Sequence, residues 1–265
     1  MKTTPAALAL LTLWSATQVL GQTPQTPAPT PTPPQQAATA PVPPLPPQAP
    51  DVAAPKMDPK TGEPQTNFLG AHARFVGIAK ENTAKLLFLG DSITAGWGGH
   101  KALWEAAFGQ YSPANFGIGG DRTQHVLWRI TQGELDGFTP KALVLMIGTN
   151  NSGSDSPEVI AAGITKIVET IRQKTPATKI LLLAVFPRGD KTAQAATREK
   201  LRTVNEQVAK LDDGKHVFFL DIGAKFLEPD GTLTREVMPD LLHLSSKGYQ
   251  IWADAITPSL AKLME

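Results

Sequence analysis

The stretch Lys85-Leu86-Leu87-Phe88-Leu89-Gly90-Asp91-Ser92-Ile93-Thr94 decides how this chain is read. Its apolar run is too short for a helix and ends in a glycine, an acid and a serine. That is the pattern of a buried strand delivering a hydroxyl to the edge of a sheet. Four further runs resemble it: Ala114-Asn115-Phe116-Gly117-Ile118, Ala142-Leu143-Val144-Leu145-Met146-Ile147, Ile180-Leu181-Leu182-Leu183-Ala184-Val185-Phe186 and Val217-Phe218-Phe219-Leu220-Asp221. Several are continuously apolar rather than alternating, as in a parallel sheet covered on both faces.

Helical patterns separate these runs. Val126, Leu127, Ile130 and Leu135 place a helix over Gln124–Leu135. Ile160, Ile164, Ile167, Val168 and Ile171 form a stripe at helical period, opened by Ser156 as N-cap, Pro157 at the first position and Glu158 in the first turn. Thr197–Leu211 and Tyr249–Leu263 supply two more helices. Alternating strand and helix predicts an α/β fold: a three-layer α/β/α sandwich around a flavodoxin-like, doubly wound, five-stranded parallel sheet. In such a fold the site lies at the carboxyl ends of the strands.

The two ends of the 265-residue chain differ in character. Residues 1–21 carry Lys2 and an apolar run from Ala6 to Leu20, with Val19 and Gly21 suiting a cleavage site before Gln22. This predicts a secretory signal peptide, with an uncleaved anchor as the alternative, and hence a secreted or periplasmic protein. Residues 22–66 hold 15 of the 24 prolines among Thr, Gln and Ala, which predicts a disordered tether. Residues 67–265 remain as one domain, ample for a single core. The net charge of +1 is scattered, so no nucleic-acid surface is indicated. Cysteine is absent, which removes disulfides, thiolate metal sites, a cysteine nucleophile and a lipidated N-terminal cysteine together.

Each motif with chemical potential follows a predicted strand. Ser92 alone reads equally as a turn former or a helix cap, and no Gly-x-Ser-x-Gly elbow surrounds it. Of the five histidines, His72, His100 and His216 fit solvated or structural roles, and His125 fits packing or capping near a helix start. His243 stands apart in Pro239-Asp240-Leu241-Leu242-His243-Leu244-Ser245, ahead of the last helix. Spacing of three lets Asp240 orient one ring nitrogen while the other faces a nucleophile. In Phe116-Gly117-Ile118-Gly119-Gly120-Asp121 the glycines let a backbone N–H approach a ligand, and Asp121 could cap the following helix. A phosphate loop is the rival reading, but no Lys-Ser/Thr follows. In Gly148-Thr149-Asn150-Asn151 an asparagine amide could join the same site or serve only the turn. Trp97, in a glycine-rich turn after Ser92, is the expected aromatic substrate contact among Trp97, Trp104 and Trp128.

Serine, glycine, asparagine and Asp-x-x-His in this order resemble the SGNH (GDSL-type) hydrolase superfamily, from about Leu86 to Leu263. Within it the chain is most similar to the catalytic subunits (α1/α2) of platelet-activating-factor acetylhydrolase. The residues carrying that likeness are Asn115–Asp121, His125-Val126-Leu127-Trp128-Arg129, Gln132-Gly133-Glu134-Leu135, Gly148–Asn151 and Phe186-Pro187-Arg188-Gly189. The resemblance implies Ser92 as nucleophile, His243 as base and Asp240 as its orienting acid. It also implies an oxyanion hole made by the backbone N–H of Ser92, that of Gly120 and the side-chain amide of Asn150. Residues matching Ile93, Thr149 and Leu242 border the acyl slot in the acetylhydrolases, and their size here favours acetyl. Departures are the leader and the tether, since those subunits are intracellular.

The expectation is thus an exported serine esterase with no cofactor or metal, acting on acetyl esters of small molecules or glycans. A lipid-directed acetylhydrolase or thioesterase is the alternative, and a non-catalytic glycan-binding module is a third. Stable membrane insertion is not expected once the leader is removed, and the resemblance leaves a homodimer open.

Overall fold

A computed structural model describes residues 47–265. The expected signal peptide (1–21) and residues 22–46 of the expected tether lie outside the described residues. The described chain runs α1 (Thr66–Glu81), β1 (Leu86–Gly90), α2 (Ser92–Ala95), α3 (Lys101–Phe108), β2 (Pro113–Gly117) and α4 (Thr123–Arg129). It continues through β3 (Ala142–Met146), α5 (Pro157–Lys174), β4 (Lys179–Leu183), α6 (Ala195–Val208), β5 (Val217–Leu220) and α7 (Ser246–Leu263). The five strands form one all-parallel sheet in the order β2-β1-β3-β4-β5. This is the doubly wound flavodoxin-like order, and its switch point falls between β1 and β3.

Strand side chains alternate between two buried faces, which explains the continuous apolar runs. Leu87, Leu89, Leu143, Leu145, Ile180 and Leu182 pack with α1, α4, α5 and α6. Leu86, Phe88, Val144, Met146, Leu181 and Leu183 face α3 and α7. At about 1.5–3 kcal/mol per fully buried large apolar side chain, these two layers dominate the stabilisation of the sheet. The predicted helix after β2 breaks after Arg129 into a π-turn over Ile130–Glu134, with Gly133 at φ +114°. Helices α1 and α3 were not anticipated. In α1 only Phe68, Phe75 and Ala79 are buried, too sparse a stripe to read from sequence.

The tether assignment for residues 22–66 fails in its described part. Thr123 Oγ1 donates to Pro50 O at 2.8 Å, Ala54 N–H to Gln124 O at 3.2 Å and Gln48 Nε2 to Pro55 O at 2.8 Å. Met57 and Pro64 form an isolated antiparallel bridge, and Gln65 N–H donates to Lys56 O at 2.8 Å. Prolines lack a donor but keep an acceptor. A proline-rich stretch can therefore order itself wherever the domain presents donors.

Candidate active site

Ser92 opens α2 directly beyond β1. Asp91 caps that turn, its Oδ1 accepting from Ile93 N–H at 2.9 Å. From the last helix, Tyr249 Oη donates to Ile93 O at 2.7 Å and braces the same turn. His243 stands in the turn before α7, whose N-cap is Ser245. Asp240 Oδ1 accepts from the backbone N–H groups of Leu242 (3.0 Å) and His243 (2.7 Å), while its Oδ2 lies 2.7 Å from His243 Nδ1. Leu241 adopts φ +62°, a left-handed conformation that costs a leucine about 1–2 kcal/mol. The carbonyl of Leu241 accepts from Gly189 N–H at 2.7 Å, which holds the turn. His243 Nε2 comes within 2.9 Å of Ser92 Oγ. The three residues expected to act together are thus adjacent, in an open cleft: the side chains of His243 and Asp240 are 48% and 55% exposed.

The loops after β2 and β3 close the other side. Gly120 takes φ +72°, a conformation glycine adopts at no steric cost. A Cβ on Gly119 would lie 3.9 Å from Ser92 Cβ, so this loop borders the serine. Asn150 Nδ2 donates to Asp121 O at 2.8 Å and lies 3.5 Å from Asp91 Oδ2, so it is tied to the glycine loop. Among the described residues, the N–H groups of Ser92 and Gly120 have no hydrogen-bond partner. Ile93 and Thr149 are buried beside these loops and Leu242 is half-buried.

Trp97 is a correction. It is 1% exposed and packs among Tyr249, Phe108 and Trp252, at ring-centroid distances of 4.6, 5.3 and 5.3 Å. The glycine-rich turn folds inward because these aromatic faces cover it, so Trp97 is core and offers no face to a substrate. Asp121 is another: it does not cap the following helix, whose N-cap is Arg122. Instead Asp121 is buried, and its Oδ2 accepts from Arg129 Nε at 2.9 Å.

Arg129 itself was missed. Fully buried, it donates from Nη1 to Glu134 Oε2 at 2.6 Å and from Nη2 to Phe116 O (3.0 Å) and Gly90 O (3.3 Å). Glu134 also meets His72 Nδ1 at 3.0 Å. One guanidinium therefore ties the carboxyl ends of β1 and β2 to two buried acids. In sequence, Arg129 and Glu134 look like ordinary charges on a helix, and nothing local marks them as partners of Asp121.

Burial governs the ionisation of this region. It pushes the Asp91 carboxyl up to about 7, against the Ile93 N–H that favours the charged form. It pushes Asp121 up to about 6 despite Arg129 and Lys56 nearby. It drives His125 down to about 3, helped by the positive charges of Lys56, Arg122 and Arg129, so that ring is neutral. His125 Nδ1 then accepts from Arg122 N–H at 3.1 Å. Partial burial raises Asp240, but its hydrogen bonds from His243 and Leu242 together outweigh this and bring it down to about 2. Among the described residues, no group of three or more His, Asp or Glu side chains is arranged to hold a metal ion.

A hydroxyl within reach of an imidazole that is itself held by a carboxylate is equipped for nucleophilic acyl substitution. The family model of the GDSL-like lipases and acylhydrolases matches residues 88–251. The chain belongs to this family. Its relatives include the bovine platelet-activating factor acetylhydrolase IB subunit alpha1, 38% identical over 199 residues that span 74% of this chain and 84% of that protein. The acylhydrolase also shares its fold with a GDSL-like lipase from Bacteroides thetaiotaomicron (TM-score 0.61, 18% identity, covering 74% of this chain and 98% of that one). A Geobacillus acetyl-xylooligosaccharide esterase has the same fold (TM-score 0.54, 22% identity, covering 68% and 94%). This acylhydrolase is an ester-hydrolysing enzyme.

Proposed function

We propose that this acylhydrolase is an exported serine esterase that removes short acyl groups, acetyl foremost, from carbohydrate esters. The observation that carries the reading is the unbroken line from Asp240 through His243 to Ser92, at 2.7 and 2.9 Å. With its carboxylate accepting from Nδ1, Asp240 keeps the neutral ring protonated there and leaves Nε2 free to accept. Ser92 Oγ attacks the ester carbonyl as His243 Nε2 takes its proton. The oxyanion is met by the N–H groups of Ser92 and Gly120 and by the Asn150 amide. Collapse of the adduct expels the alcohol, which takes the proton from His243, and leaves an acyl-serine. Water then attacks by the same route, releasing the acid and restoring Ser92.

Three observations support the substrate class. Ile93, next to Ser92 in the chain, and Thr149, next to Asn150, are large and buried, which fits a short acyl group better than a long chain. The exposed histidine and carboxylate suit an acetyl group displayed on a polymer. The leader-like residues 1–21 suit an extracytoplasmic site of action.

Acetate release from acetylated xylan, compared with release from an acetyl glycerophospholipid, tests the assignment, with Ser92→Ala and a fluorophosphonate label reporting on the mechanism. Acetate from xylan, serine labelling and inactivity of Ser92→Ala are expected. Ester hydrolysis retained by Ser92→Ala overturns the mechanism, and turnover of the lipid alone overturns the substrate class. N-terminal sequencing of the expressed protein should find a start near Gln22, and an intact Met1 would overturn cleavage of the leader.

A further inference from the structure

The strap formed by residues 47–65 lies outside the region that the family model matches, residues 88–251, yet it reaches the glycine loop. Its Lys56, with a side chain only 18% exposed, donates from Nζ to the carbonyl of Gly119. Nζ also stands 3.9 Å from Oδ1 of the buried Asp121, an oxygen that otherwise has no hydrogen-bond partner among the described residues. A Cβ on Gly120 would meet Nζ at 2.8 Å, so the ammonium sits directly over this loop.

The carbonyl of Gly119 and the N–H of Gly120 belong to one peptide unit. That unit is planar and trans, so the two groups point in opposite directions. A peptide flanked by two glycines has little steric resistance to flipping, and a flipped unit would turn the carbonyl oxygen toward the developing oxyanion. We infer that Lys56 is a positioning residue: it clamps the Gly119–Gly120 peptide so that the Gly120 N–H faces the oxyanion. A cation on the carbonyl also polarises the unit and strengthens the opposite N–H as a donor. The strap thus buttresses the oxyanion hole, seated by Thr123 on Pro50 and by Gln124 on Ala54. The inference rests on the proposed role of the Gly120 N–H.

The test compares wild type, Lys56→Met and Lys56→Arg on an acetyl ester, with kcat normalised to active sites titrated by a burst reagent. The clamp predicts that Lys56→Met lowers kcat about 10- to 100-fold, short of the 10²–10³ lost when a donor is deleted outright. KM should stay within about twofold, and phosphonylation of Ser92 should slow in parallel, because the phosphonyl oxygen occupies the same hole. Lys56→Arg, which retains a cationic donor, should recover most of the rate. A merely structural lysine would lower the thermal midpoint and the fraction of active sites but leave kcat per site unchanged. If Lys56→Met is insoluble, Lys56→Leu, which also lacks a donor, carries the same comparison. A kcat per site within twofold of wild type, or a change in KM alone, overturns the clamp. If wild type itself shows no serine-dependent hydrolysis, it is the proposed function that falls.

Discussion

Replacing Arg129 with methionine keeps most of the side-chain volume and removes every donor. Four acceptors lose their partner: Asp121 Oδ2 at 2.9 Å, Glu134 Oε2 at 2.6 Å, Phe116 O at 3.0 Å and Gly90 O at 3.3 Å. Both carboxylates are fully buried, so the loss is that of a broken buried ion pair, about 3–5 kcal/mol. For a domain of this size each kcal/mol moves the midpoint by about 2–4 °C, so the variant should melt about 6–20 °C lower at pH 8. The pH dependence has a definite sign. Without the guanidinium, Asp121 must bind a proton to stay buried, so its folded pKa rises further above that of the unfolded chain. Asp121 is already at about 6 with Arg129 present. A group raised in this way loses its stabilising contribution as pH rises through the folded value, so the deficit should be smaller at pH 5 than at pH 8. Thermal melts of both proteins, followed by circular dichroism at the two pH values, provide the assay. A deficit below about 2 °C, or one equal at both values, would refute the assignment of this network as a charge-balanced buried cluster.

Asn150→Ala should cut kcat by about 10²–10³ in steady-state ester hydrolysis, as expected when one oxyanion donor is removed. A loss under threefold would exclude its amide from the hole. Gly163→Ala, within α5, would set a Cβ 2.6 Å from both Pro50 O and Thr123 Oγ1. The carbonyl is backbone and cannot rotate aside, so the strap must shift. Destabilisation of about 1–3 kcal/mol is expected despite the better helix propensity of alanine. Trypsin should then cut faster after Lys56 and Lys60, and unchanged cleavage would show that the strap is seated elsewhere.

The sheet was legible because parallel strands buried on both faces leave continuous apolar runs, and all five came where those runs stood. The approach of Ser92 to His243 was foreseeable because the serine, glycine and asparagine blocks directly follow strands and the Asp-x-x-His block directly precedes the last helix. Trp97 was misread because its burial depends on Tyr249 and Trp252, more than 150 residues away in the chain. The strap was misread because composition measures the apolar surface a segment can bury. It says nothing of carbonyls such as Pro50 O meeting a waiting donor. The Arg129 cluster was silent because a buried charge and a solvated one are the same letter.

Asp240 and His243 are three residues apart in a single turn, whereas Ser92 and His243 are separated by 151 positions. The proposed base and its acid are therefore a local unit that follows every strand, and the proposed nucleophile opens the helix directly after the first strand. Under the proposed mechanism the serine meets its base only when the C-terminal turn and α7 dock, with Tyr249 reaching back to the nucleophile's own turn. A nascent chain would carry an inert hydroxyl, so completion of the fold is itself the activation step.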